Sequence, residues 1–193
     1  MENEKNYFTY GMIKPDGMPY LKEILEEIYD SGLFVAYSKI DTLDEKIIEE
    51  NYPHCIGRDF YEGMKENLLR GNVLKMVIFD PRGNAVGNYR KKLGATKSWE
   101  AEPDTIRGKY GDMKIAYKNV AHGSGNVKEA NDEIMRFFKK DLNDMLKGIY
   151  DYANIMLTAN RVKDLFSDSS VNEILKTKDI HNITYDYSKK LEK

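Results

Sequence analysis

Tyr7-Phe8-Thr9-Tyr10-Gly11-Met12-Ile13-Lys14-Pro15-Asp16-Gly17 is aromatic and β-branched up to Ile13, then meets a proline and a glycine. Such a run favours a pleated, half-buried strand, and the Pro-Asp-Gly cluster turns the chain at its end. Leu21, Ile24, Leu25 and Ile28 follow at i, i+3, i+4 and i+7, the apolar stripe of one helix face. Ser31-Gly32 stops that helix, and residues 33–40 predict a second strand. The chain therefore opens β-α-β.

Working outward, two short helices are expected over residues 44–52 and 59–69, joined by a connection over 53–58. Residues 73–79 predict a third strand, apolar enough to be central. Asp80-Pro81-Arg82-Gly83-Asn84 turns the chain into a helix carrying Val86, Tyr89, Arg90 and Leu93. Periodicity is lost from Gly94 to Asp112, and an irregular loop of that length is usually functional or interface-forming. Residues 113–117 predict a fourth strand. A last core helix, from near Val127, carries Ala130, Ile134, Phe137 and Phe138.

The order β-α-β-(αα)-β-α-loop-β-α predicts an α/β (α+β) fold. Its architecture is a ferredoxin-like split βαβ, a four-stranded antiparallel sheet with helices packed on it. No GxGxxG follows the first strand and no GxxxxGK[ST] occurs, which disfavours a doubly wound nucleotide fold. Leu142, Met145, Leu146, Ile149, Ala153 and Met156 continue a helical stripe, and Ser170-Val171-Asn172-Glu173 reads as a capping box. The expected organisation is a catalytic domain over residues 1–140 and a C-terminal helical extension over 141–193. The extension either packs on its own domain or covers a partner subunit.

Composition bounds the function. With 30 Lys and Arg against 32 Asp and Glu, no global field drives binding to nucleic acid or anionic lipid. A single cysteine, Cys55, excludes an internal disulfide and a Cys-based zinc cluster. The charged start of the chain has no apolar leader region, and no apolar run is long enough to span a bilayer. Asn182-Ile183-Thr184 fits a glycosylation pattern by chance. A cytoplasmic protein without nucleic-acid or membrane partners is expected.

The chemistry is expected at Asn119-Val120-Ala121-His122-Gly123-Ser124, between the expected fourth strand and the last helix. Histidine can serve as nucleophile, base or metal ligand near neutral pH. A lone histidine in a glycine-flanked turn is usually only solvated, so the rest of the chain must supply the argument. Lys14, Arg58, Arg90, Thr96 and Arg107 suit polyphosphate, since most fall at element ends or in the long loop and guanidinium forks match phosphate oxygens. His54 reads as a surface turn residue near Tyr52, and His181 receives no role.

Tyr10-Gly11-Met12-Ile13-Lys14-Pro15-Asp16-Gly17 resembles the first strand and IKPDG signature of nucleoside diphosphate kinases. Leu93-Gly94-Ala95-Thr96, Pro103-Asp104-Thr105-Ile106-Arg107-Gly108 and the His122 segment resemble that family's later motifs, in the same order. Glu133-Ile134 with Phe137-Phe138 resembles the helix that follows. The similarity runs from about Tyr7 to Phe138.

The resemblance implies a two-step exchange. His122 would take the γ-phosphate of a nucleoside triphosphate such as ATP and pass it to a diphosphate, with activity falling at acidic pH as the imidazole protonates. Glu133 would bond the other ring nitrogen, and Ser124 would bond Glu133. Lys14, Arg90, Thr96 and Arg107 would grip phosphates, with Lys14 also touching the sugar. Tyr52 would lie near the transferring phosphate, Asn119 would bind the ribose, and the base would stack on Phe60. Mg2+ would ride on the phosphates without a direct protein ligand. Homo-oligomers, hexamers or tetramers built from dimers, are also implied. The chain departs from the family at Gly125, where aspartate is usual, and at Asp59, Lys109-Tyr110 and Ser98. The Gly125 departure predicts a looser turn after the histidine. The competing reading is a nucleotide-binding regulatory module of this fold whose tail docks a partner.

Overall fold

The computed structural model describes residues 5–141, 144, 145, 147–149 and 151. Contacts divide the chain into two units between Met145 and Leu146, and the description below concerns the first. Most of the expected extension, including the 170–173 capping box, the 182–184 pattern and His181, lies outside the described residues.

Four strands, β1 (Phe8–Ile13), β2 (Phe34–Asp41), β3 (Val73–Phe79) and β4 (Ala121–Gly123), form one sheet in the order β2-β3-β1-β4. Every neighbouring pair is antiparallel. β3 lies between β1 and β2, and β1 lies between β3 and β4, so each β-helix-β unit is split by an inserted strand. This is the expected ferredoxin-like arrangement. The two inner strands, β1 and β3, are the most completely buried, as their apolar sequences require.

Helix α1 (Leu21–Asp30) and helix α4 (Ala85–Leu93) pack on one face. There Ile24, Ile28, Tyr89 and Leu93 join Ile13, Leu74, Met76, Ile78 and Ala121 in one core. The shorter helices α2 (Glu45–Asn51) and α3 (Tyr61–Leu69) lie within the ranges expected for them. Helix α6 (Val127–Phe137) packs against β1 and α2. Phe137 stacks on Tyr10 with ring centres 4.6 Å apart, and Phe138 is fully buried. Burying a side chain of that size contributes about 1.5–3 kcal/mol.

Two expectations are corrected. Residues 113–117 are not a strand, because Asp112 Oδ1 accepts the amides of Lys114 and Ile115 at 2.7 and 3.0 Å. Those amides are withdrawn from any ladder and the segment turns. The fourth strand is Ala121–Gly123, so His122 sits inside a strand and not in the turn beyond one. The stretch 94–112 is also not wholly irregular. Thr105 caps a short helix α5 (Ile106–Tyr110), its hydroxyl oxygen accepting from the Gly108 amide.

Candidate active site

Register decides which way His122 faces. His122 pairs directly with Met12 across the β1–β4 ladder, with Ala121 opposite Ile13 and Gly123 opposite Gly11. Side chains alternate between faces along a strand, so His122 shares the face of Met12 and Tyr10, toward α6. Its ring lies 5.9 Å from the Tyr10 ring and 5.6 Å, edge-on, from that of Tyr52. Gly123 faces α4, where a Cβ would stand 2.8 Å from Leu93 and Tyr89, so a side chain there would push helix and strand apart.

Glu133 is a charged residue on the buried face of α6, in line with Ala130 and Phe137. Its Oε1 lies 2.7 Å from His122 Nε2, and its Oε2 accepts the Ser124 hydroxyl at 2.6 Å. Asn51 Nδ2 adds a third bond to Oε1 at 3.0 Å. Burial alone would raise the carboxyl pKa. The bond and charge of His122, with the bonds from Ser124 and Asn51, outweigh it and hold Glu133 below the usual carboxylate range. An ionised carboxylate only accepts, which places a proton on His122 Nε2 and leaves Nδ1 with its lone pair.

Lys14 leaves the end of β1 with its side chain buried. Nζ donates to Asn119 Oδ1 at 2.5 Å and to the Tyr117 carbonyl at 3.0 Å, leaving one of its three donors. Burial lowers its pKa from 10.5 to about 8, partly opposed by the charge of Asp16. Asn119 is buried too, and its Nδ2 donates to the Thr96 carbonyl at 2.8 Å. Lys14, Asn119 and the 94–96 segment are thereby tied into one wall.

Arg107 comes from α5 and covers the outer edge of β4. Its Nε and Nη2 both donate to the Ala121 carbonyl, at 3.3 and 2.9 Å, and Nη1 donates to the Gly94 carbonyl at 3.0 Å. Burial lowers its pKa to about 10, with the nearby Arg90 charge adding to the effect. Tyr52 is buried beside Asn51, and burial together with the charge of Glu133 raises its pKa. By contrast, Arg90, Thr96 and Phe60 present exposed side chains, Phe60 at 44% exposure. Arg58 and His54 are exposed in the connection between α2 and α3.

Val120 holds a positive φ of 60°, a conformation costly for a β-branched residue, at about 1–3 kcal/mol. The kink is fixed from both sides: its amide donates to Asp16 Oδ2 and its carbonyl accepts from the Lys14 amide, each at 2.9 Å. The Pro-Asp-Gly turn after β1 thus grips the chain two residues before His122. A Cβ on Gly17 would stand 2.3 Å from the Val120 carbonyl, so that contact needs glycine.

Beyond Ser124 the turn is not loose. Glu129 Oε2 accepts the Gly125 amide at 2.8 Å, while Asn126 and Glu129 exchange bonds in a capping box at the start of α6. A Cβ at Gly125 would stand 2.7 Å from Glu129 Oε2, and an aspartate there would bring a second carboxylate against the first. Glycine at 125 and glutamate at 129 are mutually consistent. Sequence reasoning missed Asn51 and Arg136, whose guanidinium donates to Asn51 Oδ1 at 2.6 Å, and read Asp16 only as a turn residue. Their roles depend on contacts between distant segments, for which the linear pattern carries no signal.

Fold and site together define a class: a ferredoxin-like split βαβ domain that brings a carboxylate-held histidine near two buried cations. The family profile described as "Nucleoside diphosphate kinase" matches residues 8–142. A nucleoside diphosphate kinase of Listeria monocytogenes serotype 4a (strain HCC23) is 34% identical over 132 residues, 67% of this chain and 87% of that protein. One from Methanocorpusculum labreanum is 37% identical over 65% of this chain and 83% of that protein. Among solved structures, the halophilic nucleoside diphosphate kinase of Halobacterium salinarum, in complex with CDP, superposes with a TM-score of 0.64. It is 31% identical, over 70% of this chain and 90% of that one. The apo enzyme of Encephalitozoon cuniculi gives 0.62 at 33% identity, over 67% and 87%. The chain belongs to the nucleoside diphosphate kinase family, and is an enzyme of that type, a nucleotide-binding phosphotransferase.

Proposed function

We propose that the chain exchanges γ-phosphate between nucleoside triphosphates and diphosphates by a ping-pong route through phosphorylated His122. The observation that carries this reading is the 2.7 Å contact between His122 Nε2 and the ionised Glu133. It leaves Nδ1 as the nucleophilic nitrogen. In the first half, the Nδ1 lone pair forms a bond to the γ-phosphorus while the bond from that phosphorus to the β–γ bridging oxygen breaks. The diphosphate leaves with the bonding pair. In the second half, a β-phosphate oxygen of another diphosphate attacks the same phosphorus and the bond to Nδ1 returns to the ring. Glu133 stabilises the positive charge that the imidazole gains on attack.

Lys14 and Arg107 would offset charge on the phosphate oxygens, joined by Arg90 and Thr96 from the exposed side of the cleft. Tyr52 would border the transferring phosphoryl group. Asn119, already positioned by Lys14 and the Thr96 carbonyl, would reach the ribose. Phe60 would stack on the base, and a stacking contact with few base-edge bonds tolerates many bases. The donors gathered here are cationic and suit phosphate oxygens, so magnesium is read as entering on the nucleotide. Bound there, it supplies positive charge to those oxygens. A homo-oligomer is the assembly we expect, to be measured by gel filtration with light scattering.

Incubation with γ-labelled ATP tests the reading. The protein should take up label that is lost in acid and kept in base, and His122→Ala should take up none. Wild-type protein that stays unlabelled overturns it. The labelling rate should also fall on acidification, since a protonated ring has no lone pair to offer; a rate flat down to about pH 5 would count against the role.

A further inference from the structure

Asn51 and Arg136 make contacts behind the catalytic pair that the exchange itself does not use. Arg136 lies one turn beyond Glu133 on α6, half-buried, and donates from Nη1 to Asn51 Oδ1 at 2.6 Å. Asn51, at the end of α2, is buried and donates from Nδ2 to Glu133 Oε1 at 3.0 Å, the same oxygen that meets His122. An amide has two ends of opposite character, and its orientation is set by its partners. Arginine is a donor only, so Arg136 holds the amide oxygen toward itself and turns the amide nitrogen toward Glu133. Reversed, the amide would press its oxygen against the carboxylate.

We infer that Arg136 and Asn51 form a positioning relay. Arg136 sets the polarity of the Asn51 amide, and Asn51 in turn fixes Glu133 as an ionised acceptor for His122. The relay joins α2 to α6 through two hydrogen bonds and reaches the reacting nitrogen only through Glu133, so both are positioning residues. It rests on the reading of His122 as nucleophile, which it deepens. Four groups face Glu133 from the surrounding elements: Tyr10 on β1, Tyr52 after α2, and His122 and Ser124 at β4. None of these hydroxyls carries charge near neutrality, and His122 is held by the carboxylate. Loss of the Asn51 donor is therefore felt directly at Glu133.

The test follows the Glu133 carboxyl titration by 13C NMR in the nucleotide-free full chain. Asn51→Leu keeps the volume but removes the donor, and should raise the Glu133 midpoint by about one pH unit. Arg136→Met should raise it by less, and should add nothing further in an Asn51→Ala background, as members of one relay are non-additive. Phosphoenzyme formation should slow several-fold in both single variants, with the nucleotide KM unchanged. A role confined to packing would leave N51L, which fills the same space without a donor, titrating like wild type, and that result overturns the relay. So does an R136M effect that persists in full without Asn51. If N51L does not fold, R136M decides alone, an unmoved midpoint being the overturning result. Wild-type protein that takes up no phosphoryl group while these midpoints shift as stated would defeat the proposed exchange and leave the relay standing.

Discussion

The residues around Glu133 and those proposed to hold the nucleotide are built to opposite rules. On one side, Glu133 is buried and each of its oxygens is bonded, by His122 and Asn51 on one and Ser124 on the other. On the other side Arg90, Thr96 and Phe60 are exposed. In the proposed exchange the reacting end would be ordered in advance, leaving little reorganisation for the moment of transfer. Those three residues, proposed to grip the nucleotide, are exposed, as the proposed tolerance of many bases would require. Lys14 and Arg107 belong to both sides: buried and bonded to backbone, yet cationic. Their lowered pKa values record the cost of that position.

The contrast breaks most visibly at the histidine. His122→Ala should abolish phosphoenzyme entirely while circular dichroism stays native. Glu133→Gln keeps the shape but removes the charge that holds Nε2–H. A charge-assisted bond is worth about 1.5–3 kcal/mol, so labelling should slow by about 10- to 100-fold with little change in nucleotide affinity. Rapid-quench labelling at saturating ATP measures this, and an unchanged rate would show the ordered side to be ornamental. On the open side the pattern should invert. Phe60→Ala removes a stacking face worth about 1–3 kcal/mol and should raise KM by about five-fold or more while the rate at saturation holds.

A smaller effect follows from pH. Lys14 loses its charge as pH rises through about 8 in the free protein, so nucleotide KM should rise across that range, and the rise should vanish in Lys14→Met. The stability sign is opposite. In the unfolded chain this lysine titrates near 10.5, so between about 8 and 10.5 the unfolded state binds more protons and stability increases with pH. Smallest is Gly125→Asp, which brings a carboxylate to Glu129 and should lower stability by about 1 kcal/mol, seen as a lower Tm and relieved in Glu129→Gln.

Much of this was legible in the sequence for stated reasons. The helical stripe at Leu21, Ile24, Leu25 and Ile28 and the apolar run Val73–Phe79 lie where the chain must bury a face, so period and burial agree. Residues 113–117 misled because their alternation resembles a strand, while the side chain that prevents one, Asp112, precedes the segment. Three residues at 121–123 are too few to show a period at all. Thr105 before Ile106 was a usable helix-start signal within a stretch read as loop. Arg136 and Asn51 were invisible for another reason: 85 residues separate them, and neither type is unusual on a helix.

A strand of three residues has little ladder with which to hold its place. A slip of one position would carry the imidazole to the face of Tyr89 and Leu93, away from Glu133. The kink at Val120 and the guanidinium clasping the Ala121 carbonyl act as a stop and a latch at the start of that short run. The energy stored at Val120 thus serves as proofreading of alignment. It also leaves the spacing from Asn119 to His122 little tolerance, and adding or deleting one residue there should cost more than replacing a neighbour.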